Sequence, residues 1–350
     1  MFNLKNYEMK RKLASIRTIS QIRPIVGADK IEVAKVDNWN VVVQKDQFNI
    51  GEKIVYFEID SFLPIHNEFE FLRKSCYRKL ADDSEGFRLR TMTLRGQVSQ
   101  GLICPLSILN TTEIPFSGIW VEGDDVSEYL NVIKFDPPLP PELEGEAIGY
   151  FPSFIQKTDE ERIQNLTSEY EMFKKSKYLA SEKVDGASST FFLNDGEFGI
   201  CSRNLQLIFN PNNTFGRIII QNNLEEKLRN FGKNIAIQGE IIGEGVQGNK
   251  YKLKGQKLLV YNIFDIDNYK YVSKEEMLRI SNIFNLETVP TILNDFTLPD
   301  SIDELLNIAN DKSKVNPITI REGLIWVSID SPERISFKTI SNDFLLKYGE

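Results

Sequence analysis

Lys183-Val184-Asp185-Gly186 places a lysine two residues before a carboxylate and three before a glycine, directly after the strand-like run Tyr178-Leu179-Ala180-Ser181-Glu182. A lysine attacks phosphorus only as the neutral amine, and an unperturbed pKa near ~10.4 keeps it protonated at neutral pH. Neighbouring cations and a bound metal have to depress that value, so carboxylates for a metal and further basic residues should accompany the lysine. They follow in order. Ser202-Arg203-Asn204 comes next, then Gln238-Gly239-Glu240 at the polar end of the apolar Ile235-Ala236-Ile237. Glu322-Gly323 opens the apolar run Leu324-Ile325-Trp326-Val327, and Lys338 lies on the last strand-like segment. Taken singly, Lys183 reads as a surface lysine, Arg203 and Glu322 as ion-pair or solvated groups, and Phe264 as core. Taken as a series, they supply a nucleophile, cations for phosphate oxygens and acids for metal and ribose, the requirements of phosphoryl transfer.

Composition narrows the chemistry further. At 350 residues, with 41% hydrophobic and 26% charged side chains, the chain suits two ordinary globular domains. No run approaches the roughly 18 apolar residues of a membrane span. The polar start, Met1-Phe2-Asn3-Leu4-Lys5, is unlike a secretory signal. Three widely spaced cysteines, Cys76, Cys104 and Cys201, lack zinc spacing and point to reduced thiols in a cytosol-like compartment. His66 is the single histidine, which removes histidine triads and two-histidine zinc sites. A net charge of −8 argues against a protein that coats nucleic acid generally, but leaves room for a local basic groove. Arg88, Arg90 and Arg95 are one concentrated source of positive charge, with Arg88 and Arg90 on one face if the segment is a strand.

The elements that must position these residues fall into two halves. Residues 1–135 alternate apolar and polar residues in short runs: 31–36, 39–43, 54–59, 87–94 and 101–104. About five strands in about 100 residues predict a small all-β barrel of OB type. Asp136-Pro137-Pro138-Leu139-Pro140-Pro141 marks a stiff linker, assigned to residues 136–152. Residues 153–350 mix helix and strand signals. Thr158 and Glu161 form a capping-box pattern, residues 224–231 and 273–283 read as helices, and 257–265 as a buried strand. The second half is therefore expected to be α+β with antiparallel sheets. Gly243-Glu244-Gly245-Val246-Gln247-Gly248 satisfies G-x-G-x-x-G, yet no βαβ unit surrounds it, so residues 239–251 are read as a flexible turn.

Lys-Val-Asp-Gly, Ser-Arg-Asn, Gly-Glu, Glu-Gly-Leu-Ile-Trp-Val and Ser-Phe-Lys, in this order, resemble motifs I, Ia, III, IV and V of the covalent nucleotidyltransferases, the superfamily of ATP-dependent ligases and mRNA capping enzymes. Asn262-Ile263-Phe264-Asp265 resembles the aromatic motif between III and IV, and Asp159-Glu160-Glu161-Arg162-Ile163-Gln164-Asn165 the upstream element of RNA ligases. Gly27-Ala28-Asp29-Lys30-Ile31-Glu32, the run from Tyr56 through Asp60 to Pro64, and Leu94-Arg95-Gly96 with Ser99-Gln100-Gly101-Leu102 resemble the N-terminal OB domain of Naegleria-type RNA ligases. In that family the OB module precedes the catalytic domain. The chain ends twelve residues after Lys338, which leaves no room for a trailing one.

The resemblance implies that Lys183 attacks the ATP α-phosphate, releasing pyrophosphate and leaving lysyl-AMP. The AMP passes to an RNA 5′-phosphate, and a 3′-hydroxyl displaces it, as in sealing a nicked duplex. Lys338 would act with Lys183 in catalysis. Arg162 and Arg203 would contact phosphate or ribose, and Phe264 would stack on adenine. Glu240 and Glu322 would hold ribose or metal-bound waters. Asp185, and Asp60 of the first domain, would help place Mg2+ or Mn2+. Arg88, Arg90 and Arg95 would contact RNA. An intracellular monomer is expected. A DNA ligase, a GTP-using capping enzyme and a non-catalytic RNA-binding OB protein remain open alternatives. One departure stands out: many relatives carry Lys-x-Lys in motif V, where this chain has Ser336-Phe337-Lys338.

Overall fold

The computed structural model describes residues 12–80, 83–111, 118–135 and 145–348. The chain divides into two compact units, residues 1–138 together with 345–350, and residues 139–344. The proline run at 136–141 lies outside the described residues.

The first unit is a half-barrel of OB type. Its strands are β1 (Ala14–Pro24), β2 (Ile31–Val36), β3 (Trp39–Gln44), β4 (Lys53–Phe57), β5 (Ser61–Pro64), β6 (Tyr77–Lys79), β7 (Glu85–Arg88), β8 (Met92–Leu94), β9 (Gln97–Ser99), β10 (Leu102–Pro105) and β11 (Ile133–Lys134). β1 organises the unit. Its first half pairs with β4 and its second half with β2, and an irregularity between Ile19 and Gln21 separates the two registers. The main sheet runs β10-β4-β1-β2-β3, and a smaller one runs β11-β5-β7-β6. The expected strands at 31–36 and 39–43 are present. The expected strand at 87–94 is broken: β7 ends at Arg88, Leu89 still bonds Asp60 and Ser61 beside it, and β8 starts only at Met92. The sequence reading passed over β1, whose Arg17, Ser20 and Arg23 interrupt its apolar alternation.

The second unit is α+β with two antiparallel sheets. It contributes β12 (Ala147–Tyr150), β13 (Lys177–Lys183), β14 (Ala187–Asn194), β15 (Glu197–Cys201), β16 (Leu205–Leu207), β17 (Ile235–Gly243), β18 (Gln256–Asp265), β19 (Lys270–Tyr271), β20 (Glu287–Thr288), β21 (Thr291–Thr297), β22 (Gly323–Ser328) and β23 (Ser336–Ile340). The larger sheet runs β12-β16-β15-β14-β17-β18-β19, with β20 joining β18 in parallel. The smaller runs β21-β13-β22-β23. β12 lies inside the stretch read as linker, so the sheet begins earlier than the sequence reading placed it.

Helices Thr214–Asn222, Leu224–Phe231 and Lys274–Ile283 bury apolar faces against one side of the larger sheet, on Phe191, Leu193, Ile237, Val260 and Ile263. Asn213 and Ser273 cap two of these helices by accepting from the backbone N–H three residues on. No helix follows Thr158. The segment is extended until a short 3-10 turn at Ile163–Asn165, and Glu161 accepts instead from Arg162 N and from Asn165. The smaller sheet packs Tyr178, Ala180, Leu324, Trp326 and Phe337 against helix Ile302–Ala309. Each sheet thus has one face sealed by helix and loop, and period-2 alternation sends the intervening residues to the other face. Among the described residues, no helix is long and apolar enough to cross a membrane.

Candidate active site

Lys183 ends β13, where it pairs across the ladder with Gly323, so Glu322 is carried directly beside it. The Lys183 ammonium donates to Glu322 Oε1. Two glycines permit this closeness. A Cβ on Gly186 would run into the carbonyl oxygen of Ile241, and one on Gly323 into that of Thr339. Burial works against the Lys183 charge, but Glu322, Glu240 and Asp185 outweigh it and hold the pKa above the usual lysine value. Without further positive charge, the residues around Lys183 therefore favour the ammonium rather than the nucleophilic amine.

Glu240 comes from the larger sheet. It lies within β17, opposite Ser188 of β14, rather than at a strand end as the sequence suggested. Burial, reinforced by Glu322 and Asp185 and opposed by Lys183 and Arg203, pushes its carboxyl up to about 8. Glu322 Oε2 is buried with no hydrogen-bond partner. A carboxyl kept protonated chiefly by burial and an unsatisfied carboxylate oxygen both fit a site that receives positive charge. Among the described residues, no three acidic, histidine or cysteine side chains are gathered for direct ligation of one ion.

Asp159 joins the other cations. Arg203 Nη2 lies 3.3 Å from both its oxygens, and Lys338 Nζ lies 3.5 Å from Oδ1. Lys338 is fixed through its backbone, whose N–H donates to Glu161 O at 2.7 Å while Arg162 bridges the same strand. Burial lowers the Lys338 pKa to about 8, with Arg162 and Lys183 adding to the fall and Asp159 opposing it. The structure thus brings Lys183, Glu240, Glu322, Asp185, Arg203, Lys338 and Arg162 to one region of the second unit.

Phe264 is not open to a ligand. It is fully buried, with Tyr269 and Tyr271 set edge-on, each with its ring centre 5.2 Å away. The aromatic that β18 presents at the site is Tyr261. A bulge opposite Gln238 and Gly239 inserts an extra residue there, so Val260 and Ile263 both face the helices while Tyr261 faces the site. Its hydroxyl lies 3.2 Å from both Thr158 Oγ1 and Ser188 Oγ, and burial pushes its pKa up to about 12. A bulge leaves no reliable mark on residue alternation, so the motif's phenylalanine drew the assignment. Lys250 was also missed. Its ammonium lies 2.7 Å from Asp185 Oδ2, while Tyr251 OH accepts from Asp185 N at 2.9 Å. The expected flexible turn at 239–251 is therefore half strand, followed by an anchored loop.

The remaining candidates lie in the first unit. Arg88 Nη2 is 3.5 Å from Asp60 Oδ1, and its guanidinium sits 4.4 Å over the Phe135 ring. Arg90 is partly buried, and Arg95 is exposed in the turn between β8 and β9. β7 ends at Arg88, so Arg88 and Arg90 do not share a face of one strand as expected.

Residues 176–348 match the RNA ligase family, and residues 13–106 match an OB-fold domain. No curated protein matches. Solved structures do. A Naegleria gruberi RNA ligase variant with AMP and Mn shares 40% identity over 96% of this chain and 98% of its own, with a TM-score of 0.86. The same organism's RNA ligase with PPi gives 40% identity, 96% and 98% coverage and a TM-score of 0.85. A further variant, with ATP and Mn, gives 39% identity, 97% and 100% coverage and a TM-score of 0.85.

Proposed function

The chain belongs to the RNA ligase family, and from that premise we propose that it is an ATP-dependent ligase joining the 3′-hydroxyl and 5′-phosphate ends of RNA, as at a nick in a duplex. The observation that carries this reading is Lys183 held against Glu322 and faced by Glu240, with Lys338 on β23, one strand beyond β22 in the same sheet. Residues 1–135 form the OB domain in this reading, and residues 153–350 carry the catalysis.

In the first step the Lys183 amine bonds to the ATP α-phosphorus, and the bond to pyrophosphate breaks. Lysyl-AMP remains. In the second, an RNA 5′-phosphate oxygen attacks the same phosphorus and frees Lys183. In the third, the 3′-hydroxyl attacks the RNA 5′-phosphorus, AMP leaves, and the strand is closed. Lys338 and Arg203 balance charge on the phosphates, and Arg162 sets the position of the Lys338 strand. Tyr261 offers an aromatic ring to the adenine. Mg2+ or Mn2+, when bound, would supply the positive charge that lets Lys183 lose its proton, and Glu240, Glu322 and Asp185 would hold it through bound water. Relatives solved with ATP, AMP, PPi and Mn support this sequence of ligands.

Incubation with α-labelled ATP and Mn2+ should transfer label covalently to the protein, and Lys183→Ala should abolish it. Full labelling of that variant would sink the assignment. Matched nicked duplexes that differ only in the 3′-terminal sugar then separate RNA from DNA sealing.

A further inference from the structure

The family's first motif V lysine is absent here, yet the position is not left without a cation. Ser336 and Lys338 share one face of β23, and Arg334, two residues further back, continues that phase. The Arg334 guanidinium donates to Ser336 Oγ and, at 3.0 Å, to Glu160 Oε1, while the Ser336 hydroxyl donates to Glu160 Oε2. The same guanidinium sits 4.6 Å over the ring of Tyr271, whose hydroxyl is tied to the Gln156 carbonyl at 3.2 Å. This serine, carboxylate and aromatic support fixes a planar cation while using two of its five N–H donors.

Arg334 lines a cleft of about 360 Å3, a size that suits a small ligand. Lys157 and Lys270 line it too, against the carboxylates of Asp159 and Glu160. Asp159 is the residue that also holds Arg203 and Lys338, so the cleft continues directly into the phosphate side of the site. Arg203 and Lys338 share Asp159, Arg334 binds Glu160, and the exposed Lys157 and Lys270 add positive charge beside them. Positive charge gathered around a guanidinium held in place is suited to phosphate.

We propose that Arg334, held by Ser336, Glu160 and Tyr271, is the second phosphate-binding cation beside Lys338, and that the cleft it lines receives a phosphate group of the ligation reaction. This rests on the RNA ligase reading. The phosphate belongs either to the β,γ end of ATP or to the RNA 5′ end.

The test uses the full chain in two single-turnover arms. One follows lysyl-AMP formation from α-labelled ATP, and the other follows AMP transfer from preformed lysyl-AMP to 5′-phosphate RNA. Arg334→Ala should slow one arm by roughly ten- to a hundredfold, as expected on losing a charge-assisted hydrogen bond to phosphate. Slowing of the first arm identifies the nucleotide as the source, and slowing of the second identifies the RNA. Ser336→Lys added to Arg334→Ala should restore the affected arm, which a merely structural role for Arg334 would not allow. If alanine costs the fold, Arg334→Gln keeps donors without the charge and carries the same comparison. Wild-type rates in both arms, or a loss that Ser336→Lys leaves unrestored, overturn the proposal. Absence of lysyl-AMP in the wild-type protein instead refutes the underlying RNA ligase reading.

Discussion

Glu240→Gln provides a direct test of the electrostatics around Lys183. The Glu240 carboxyl is raised from 4.5 to about 8 in the folded protein, first by burial and then by Glu322 and Asp185. Between these values the unfolded chain releases this proton and the folded one keeps it, so stability falls as pH rises from about 4.5 to about 8 and is level above. At about 1.36 kcal/mol for each pH unit the full effect would be about 4–5 kcal/mol. Solvent at this partly exposed side chain screens it, leaving about 2–4 kcal/mol. Glutamine, which stays neutral, removes the pH-dependent part. With EDTA present, the variant should match wild type at pH 5 and melt roughly 5–15 °C higher at pH 9 for a unit of this size. The catalytic unit's transition is recognised as the one that ATP raises. Mn2+ at pH 9 should narrow the gap by stabilising wild-type Glu240 as the carboxylate. A melting difference that stays constant from pH 5 to pH 9 would refute the reasoning.

Three other outcomes follow from the same geometry. Lys338, lowered to about 8 by burial, is charged below that pH and neutral above it. The kcat/KM for adenylylation should therefore decline above about pH 8, and Lys338→Arg should move the decline out of range; an unchanged profile would count against Lys338 as the titrating group. Phe264→Ala should cost about 3–5 kcal/mol in urea unfolding as a core truncation, whereas Tyr261→Ala should chiefly raise KM for ATP. The reverse pattern would return the base platform to Phe264. Lys250→Met removes the ammonium 2.7 Å from the partly buried Asp185 and should cost about 1–3 kcal/mol, measured by the shift in denaturant midpoint.

Much of the site was legible because its chemistry is written in residue type and order. Lys183, Arg203 and Glu322 each stand at or beside the end of a strand, and Lys338 within one, where the apolar pattern marks the strand. What was not legible depends on partners distant in sequence. Lys250 reaches Asp185 through a loop with no periodicity, and Glu240 is carried inside a strand that continues through Ile241 and Ile242. The exchange of Phe264 for Tyr261 came from a one-residue bulge, invisible to a rule that assumes strict alternation. In the first unit, charged and polar residues on β1 hid the strand that holds the others together, because an OB-type sheet exposes one face to solvent.

That bulge makes β18 two half-strands of independent phase. The segment before Tyr261 and the segment after it each keep their apolar side chains toward the helices, although they are offset by one residue. Natural variation can therefore change the side chain at 261, and with it the fit to a base, without recalibrating the packing on either side. Loss of one of the two residues between Val260 and Ile263 would remove the bulge. Val260 and Ile263 would then stand two residues apart and both would still face the helices, leaving a single position between them to meet the site. Packing on the helices thus tolerates both a change of side chain at 261 and the loss of one residue there, so the constraint on Tyr261 comes from the site and not from the core.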